Sequence, residues 1–452
     1  MARDGKISMD PVRPGGLKDG RGQEALIRTA PIHTAAIGAE RIAADRISAA
    51  RIAADKINCD PISAAKISAA RISAKPIVTL PTIPATMRAA VYRGVNDVRV
   101  ETVPVPLNAD GASGTGAPLG RGEVLVRIDT CGICGTDLKK IHTGSHSAPR
   151  IFGHEMAGTI VMVGDGVAGF EIGDRVMAYH HIPCGKCYYC RKRTYAQCET
   201  YKKAGCTAGF APAGGGFAEY IRVMDWIVAT GGLVRIPDDI PFEQASFIEP
   251  VNTCFKAVRL LSLEPDETVL VMGQGPIGIL LAALARRTGA TVLTSDLYAE
   301  RHAIAAKFGL DRPVVSSNDG ARGDVVAAAK AASEGRGADV ALVAVGADAL
   351  IATAMQAIRP GGRVMLFAST QHGEAPFDPA AVCMDEKTLM GSYSSSVAMN
   401  DEVAELVFGG YRDGSFDLTR LISHRFGLEQ AVAAIDLASH PQATSMKIVI
   451  KP

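Results

Sequence analysis

Thr268–Gly278 reads TVLVMGQGPIG, and this stretch decides the fold. An apolar, β-type run leads into glycines at Gly273, Gly275 and Gly278, and PIGILLAALARRTG, Pro276–Gly289, continues as an alanine-rich helical segment. Strand, G-x-G-x-x-G turn and helix in that order aim backbone N–H groups and a helix N-terminus at one point, which suits a pyrophosphate. The first glycine allows the tight turn, the second lets the backbone approach phosphate, and the third lets helix pack on strand. A second apolar run, TVLTSD, ends in Asp296. That acid stands roughly 20 residues on, where a carboxylate accepts hydrogen bonds from ribose hydroxyls and repels a 2′-phosphate. NAD is therefore the expected nucleotide, held by Gly273, Gly275, Pro276, Ile277, Gly278 and Asp296.

Working outward, apolar strands such as DVALVAVG (Asp339–Gly346) alternate with helical stretches from about Ser246 onward. Such alternation signals a parallel sheet covered on both faces. Upstream, MRAAVYRGVNDVRVETVPVP from Met87, GEVLVRIDTCGICG and AGTIVMVG are short β-branched runs separated by turn residues, so this part is mostly strands. Beyond Gly391 the pattern reads as irregular. Before Met87 lies a five-residue repeat with isoleucine at Ile37, Ile42, Ile47, Ile52, Ile57, Ile62, Ile67, Ile72 and Ile77. A five-residue step fits neither a helical stripe nor strand alternation. A small solenoid remains open, as does alanine-rich helix or low-complexity chain. Pro76, Pro81 and Pro84 read as a linker.

Composition narrows the function. With 452 residues, 47% hydrophobic, the chain is long enough for two globular domains and an appendage. A net charge of +1 argues against a general electrostatic grip on nucleic acid or anionic lipid. No apolar run is long enough to cross a bilayer. Met1–Gly22 has no apolar core behind its charges, so a secretory signal is not expected and a cytoplasmic location is. Four of the ten cysteines crowd into PCGKCYYCRKRTYAQC, Pro183–Cys198, which reads as metal binding before disulfides.

Cys184, Cys187, Cys190 and Cys198 have the spacing C-x2-C-x2-C-x7-C. Four thiolates close a zinc tetrahedron and leave no open position, so that ion is structural. An iron–sulfur cluster is the rival, although its usual fourth spacing differs. A second set is dispersed: Cys131, Cys134, Thr136 and Asp137 in CGICGTD, His154 and Glu155 in FGHEMAG, Glu249 and Cys254 in SFIEPVNTC. Together these offer the thiolate, imidazole and carboxylate of a catalytic zinc with an open position.

The order CGICGTD, GHE, cysteine cluster, GGFAEY, EP, GxGxxG and RPGGR resembles the zinc-containing medium-chain dehydrogenase/reductase family over Met87–Pro452. The glutamates of GHE and EP are similar to its sorbitol and polyol dehydrogenase branch. The resemblance implies an α/β chain with a GroES-like, mostly β catalytic domain, interrupted by a Rossmann domain, and an active site in the cleft between them. Residues 1–86 would be an extension, 87–248 and 392–452 the catalytic domain, and 249–391 the nucleotide domain. It also implies that Met87 is the natural start of translation.

By position, Cys134 and His154 would be catalytic-zinc ligands, with Glu155 and Glu249 alternating as ligand or as partner of the bound water. Thr136 would hold the substrate hydroxyl and pass its proton outward, and Asp137 would orient a ligand. Val345 and Gly346 would lie near the nicotinamide and Arg301 near the adenosine. Cys131 would be structural, and Cys254 falls outside the ligand offset. Lys139 stands where many members carry a relay histidine. The implied protein binds two zinc ions per chain, assembles as a homodimer or homotetramer, and transfers a hydride between a secondary alcohol or polyol and NAD. Sugar alcohols, cyclitols, amino alcohols such as threonine, and phosphorylated polyols all remain open as substrates. Three alternatives stay open: a zinc-free NADP-linked reductase, an inactive scaffold, and a zinc ribbon on nucleic acid. Only Lys186, Arg191, Lys192 and Arg193 support the last.

Overall fold

The computed structural model describes residues 82–108, 118–179, 182–200, 213–316, 322–347, 349–367 and 378–452. The pentad repeats lie outside them. Among the described residues, no helix is long and apolar enough to cross a membrane.

The strand Thr268–Met272 is buried along its whole length. It lies inside a six-stranded, all-parallel sheet, in the order Pro313–Val315, Thr291–Asp296, Thr268–Met272, Ala338–Val343, Ile358–Leu366, Thr388–Gly391. The strand order reverses beside Thr268–Met272, and the crevice at such a switch point is where α/β sheets bind nucleotides. Alternate residues of this strand enter different cores. Val269 and Val271 join the large cluster, which includes Leu280, Leu281 and Leu284 of the helix Pro276–Arg286, whereas Leu270 and Met272 join a second cluster with Val325 and Ala329. The sheet is thus doubly wound, as the strand–helix alternation predicts.

The turn itself depends on two glycines. Gly273 has φ +96°, in the left-handed region. At Gly278 a Cβ would sit 1.7 Å from the Gly273 carbonyl oxygen, so helix and turn meet backbone to backbone.

The other part is mostly antiparallel. A seven-stranded sheet runs Ile422–Gly427, Lys447–Lys451, Val124–Gly132, Glu155–Val163, Arg175–Ala178, Leu233–Arg235, with Tyr220–Val223 also pairing Val124–Gly132. Two of its registers bring distant residues together around Gly132. Gly132 pairs with Glu155. On its other side, Val449 pairs antiparallel with Gly132, which sets Lys447 across from Cys134.

One expectation is corrected. The segment after Gly391 is regular: it holds the helices Asn400–Arg412 and Ala431–Ser439 and the strands Ile422–Gly427 and Lys447–Lys451. Its first helix has an ordinary apolar stripe, with Val403, Ala404, Val407 and Phe408 buried.

Candidate active site and metal centres

The strand Val124–Gly132 ends just before Cys134, which is the N-cap of the helix Gly135–Thr143. The Cys134 thiol accepts the Thr136 N–H at 3.5 Å, and the Asp137 carboxylate returns to the Cys134 N–H at 3.3 Å. This reciprocal capping box fixes both side chains. Across the ladder, Glu155 opens the strand that pairs with Gly132, and His154 immediately precedes it. One thiol, one imidazole and one carboxylate thereby converge, and ligand atoms of Cys134, His154 and Glu155 all lie within 4.8 Å of one another.

Fully buried Asp137 sets the imidazole. Its Oδ1 lies 3.0 Å from His154 Nδ1, so Nδ1 carries the donated proton and Nε2 is left for a metal. Burial opposes charge on both groups, but their mutual attraction outweighs it. His154 is held well above the ordinary imidazole pKa, with the Cys134 sulfur adding to the effect, and Asp137 is lowered. A pocket that sets a thiol and two carboxylates around one imidazole is one that suits a cation.

Glu155 supplies the sharpest test of fit. Its Oε2 accepts from the Lys447 ammonium at 2.5 Å, but its Oε1 is buried with no hydrogen-bond partner. An orphaned buried carboxylate oxygen beside a thiol and an imidazole matches the donor set of a three-ligand zinc. Lys447 was not legible as a site residue. It also donates to the Ile133 carbonyl at 3.1 Å. Burial works against its charge, but Glu155 and the Cys134 sulfur more than offset this and hold its pKa up.

Glu249 opens the helix Ile248–Leu261 and is buried. It lies outside the close group of Cys134, His154 and Glu155. Burial raises its carboxyl to about 7, while His154 pulls the other way and Glu155 adds to the rise. Cys131 and Cys254 are buried thiols, both pushed up by burial. Neither belongs to a ligand group among the described residues.

The four-cysteine lobe is a separate site. Its sulfurs also lie within 4.8 Å of one another. Cys187 Sγ is 3.5 Å from Cys190 Sγ, and Cys184 Sγ is 3.9 Å from Cys190 Sγ. A tetrahedron with Zn–S distances of ~2.3 Å has edges of ~3.8 Å, so the spacing fits one ion. Backbone N–H donation from Lys186, with a further bond from Cys187, lowers the Cys184 thiol to about 6, toward the thiolate a metal needs. Cys187→Ser is expected to release one zinc per chain and lower the thermal midpoint by ~5–10 °C, taking a loss of a few kcal/mol. Metal analysis with a melting curve checks this; an unchanged midpoint would contradict a structural role.

At the nucleotide turn, Gly275 caps the helix Pro276–Arg286, and a Cβ built there meets nothing within 4 Å, leaving open space before the helix N-terminus. Ile277, in the first turn of that helix, is half-buried. Asp296 is fixed at its strand end, with Oδ2 accepting from the Gln274 N–H at 2.6 Å and Oδ1 from the Tyr298 N–H at 3.0 Å. Arg301 lies 3.4 Å from Asp296 Oδ2 and 4.8 Å over the Tyr298 ring. Val345 and Gly346 follow the end of the strand Ala338–Val343 and are exposed. Val345 Cγ2 would lie 2.2 Å from a Cβ on Gly273, so it stands against the turn.

Residues 120–238 match the alcohol dehydrogenase GroES-like domain, and residues 276–408 match the zinc-binding dehydrogenase domain. The chain is 30% identical over 371 residues to a sorbitol dehydrogenase of Bombyx mori, covering 80% of this chain and 97% of that one. It is 36% identical over 253 residues to an L-threonine 3-dehydrogenase of Pyrococcus abyssi, covering 55% and 68%. A Sinorhizobium meliloti zinc-binding dehydrogenase solved with bound NADP superimposes with a TM-score of 0.69 at 28% identity, over 82% of this chain and all of that one. The chain therefore belongs to the zinc-containing medium-chain dehydrogenase/reductase family and is an oxidoreductase of its alcohol and polyol dehydrogenase type.

Proposed function

We propose that this protein is a zinc-dependent, NAD-linked dehydrogenase of a secondary alcohol or polyol. One observation carries the reading: among the described residues, Cys134, His154 and the orphaned Glu155 Oε1 offer three ligands and no fourth, whereas the separate lobe offers a closed set of four sulfurs. The names of its relatives, a sorbitol and a threonine dehydrogenase, support hydroxyl-bearing carbon as the substrate class.

When bound, zinc supplies a Lewis acid that lowers the pKa of a substrate hydroxyl, and the nucleotide supplies the hydride acceptor. Cys134, His154 and Glu155 would hold the metal. Asp137 holds the His154 ring through Nδ1, so that Nε2 is the nitrogen that would ligate the metal. Thr136, in the first turn after Cys134, takes the substrate hydroxyl's proton at Oγ1 and passes it outward along the helix side that carries Lys139 and Lys140. Glu249, buried nearby, tunes the charge around the same pocket. Gly273, Gly275 and Gly278 admit the pyrophosphate, and residues 249–391 act as the nucleotide domain against the catalytic residues on either side of them.

Incubation with NAD and a panel of polyols and secondary alcohols, followed as NADH absorbance, tests this directly. Turnover that a chelator stops and zinc restores is expected; activity indifferent to zinc would count against it. Asp296→Ala is expected to weaken NAD binding and raise relative NADP use, roughly tenfold for the loss of charged ribose contacts. An unchanged cofactor ratio would remove Asp296 from the ribose site.

A further inference from the structure

Leu138–Gly153 reads LKKIHTGSHSAPRIFG, with two lysines, one arginine, two histidines and no acid. The chain as a whole carries a net charge of +1, so this run is a local excess of positive charge. Basic runs are usually solvated faces, and Lys186, Arg191, Lys192 and Arg193 of the sulfur lobe are exposed in that way. Lys139, Lys140, His146 and Arg150 are each half-buried instead. Like charges drawn together and partly desolvated are unfavourable on their own, and an anion among them relieves that cost.

The Phe152 ring brings the group together. Phe152 is buried and stands two residues before His154. Lys140 Nζ lies 5.6 Å from the ring centre, and the His146 ring meets it edge-on at 6.0 Å. Arg150 precedes Phe152 by two residues, and its Nε donates to the Ser147 carbonyl at 3.0 Å, which turns the guanidinium back onto the loop that carries His146. Burial leads in lowering the His146 imidazole to about 4, and Lys140 and Arg150 lower it further, so both cations act on the same ring. Among the described residues, Lys140 is given to the Phe152 ring and to no carboxylate.

The cluster borders the candidate active site. Thr136, Lys139 and Lys140 stand at i, i+3 and i+4 of the helix Gly135–Thr143, so the lysines lie about one turn, ~5.4 Å, outward from Thr136. The charge of Lys140 is felt inside the site: burial opposes charge on Asp137, His154 leads in lowering its carboxyl, and Lys140 adds to that.

We propose that the substrate is a phosphorylated polyol, with its reacting hydroxyl at Thr136 and its phosphate among Lys139, Lys140, His146 and Arg150. The inference rests on the dehydrogenase reading and narrows its substrate class. A phosphate monoester brings two negative charges and three acceptor oxygens, which several separate donors can share, whereas a carboxylate is served by one arginine fork.

Matched pairs test this on the zinc-loaded full chain with NAD: sorbitol against sorbitol 6-phosphate, and glycerol against glycerol 3-phosphate. In at least one pair, kcat/KM for the ester is expected to exceed that for the parent polyol by ~100-fold, mainly through KM. Added salt should shrink that preference, and inorganic phosphate should compete with the ester. Arg150→Met and Lys140→Met, each checked by melting curve, should each cut the ester-to-polyol ratio roughly tenfold. A shared effect on proton transfer cancels in that ratio. No preference in either pair, or a ratio untouched in both variants, would overturn the proposal. So would an equal preference for gluconate, which carries a carboxylate in place of the phosphate. The dehydrogenase reading survives each of these results if a neutral polyol yields NADH; if no polyol does, phosphorylated or not, that reading falls as well.

Discussion

Cys134→Ser is expected to lower turnover by ~10³-fold or more, the several kcal/mol that a Lewis acid contributes to stabilising developing charge. Serine is the informative replacement. The Cys134 thiol caps a helix by accepting the Thr136 N–H, and serine is a strong N-cap, so the fold should survive. A neutral hydroxyl is a far poorer zinc ligand than a thiolate. The variant should therefore keep its melting temperature, hold one zinc fewer, and still bind NAD, because Gly273–Gly278 and Asp296 belong to a different sheet. Steady-state kinetics together with nucleotide titration would show this pattern. Wild-type turnover in Cys134→Ser would remove the thiolate from the chemistry.

Lys447→Met carries the second large effect. Lys447 and Glu155 form an ion pair whose side chains are 6% and 1% exposed. Removing the ammonium leaves a carboxylate buried with neither oxygen paired. Breaking such a pair from one side costs roughly 3–5 kcal/mol. Urea unfolding of the chelated protein should register that loss. Lys447→Met combined with Glu155→Gln should lose clearly less than the two single losses added together, because the uncompensated charge is gone. Strict additivity would mean that the two groups act independently. Zinc should restore part of the stability of Lys447→Met, since a cation again meets the Glu155 carboxylate.

The same pair marks the limit of what the sequence makes readable. The nucleotide turn is legible because its information is local: strand, glycines, helix and Asp296 lie within one supersecondary unit, and each residue type has a direct physical reason. The four-cysteine lobe is legible for the same reason. Lys447 is not. It sits 292 residues from Glu155 and opens an apolar strand, KIVIK, where a lysine reads as a solvated end. Only the pairing of Val449 with Gly132 makes it a neighbour of Cys134. Sheet order of this kind is set by long-range packing, which no short window contains. Glu249 illustrates the opposite case. Its motif placed it among ligand candidates, but the helix that carries it leaves it outside the close trio. The helices after Gly391 escaped notice because short amphipathic stripes separated by turns resemble irregular chain until their burial is known.

Zinc content per chain of the purified protein tests the central claim most directly. Two ions per chain are predicted, one in the closed sulfur set of Cys184, Cys187, Cys190 and Cys198 and one held by Cys134, His154 and Glu155. A single ion per chain, with no loss on Cys134→Ser, would leave only the sulfur lobe occupied and would contradict a catalytic zinc.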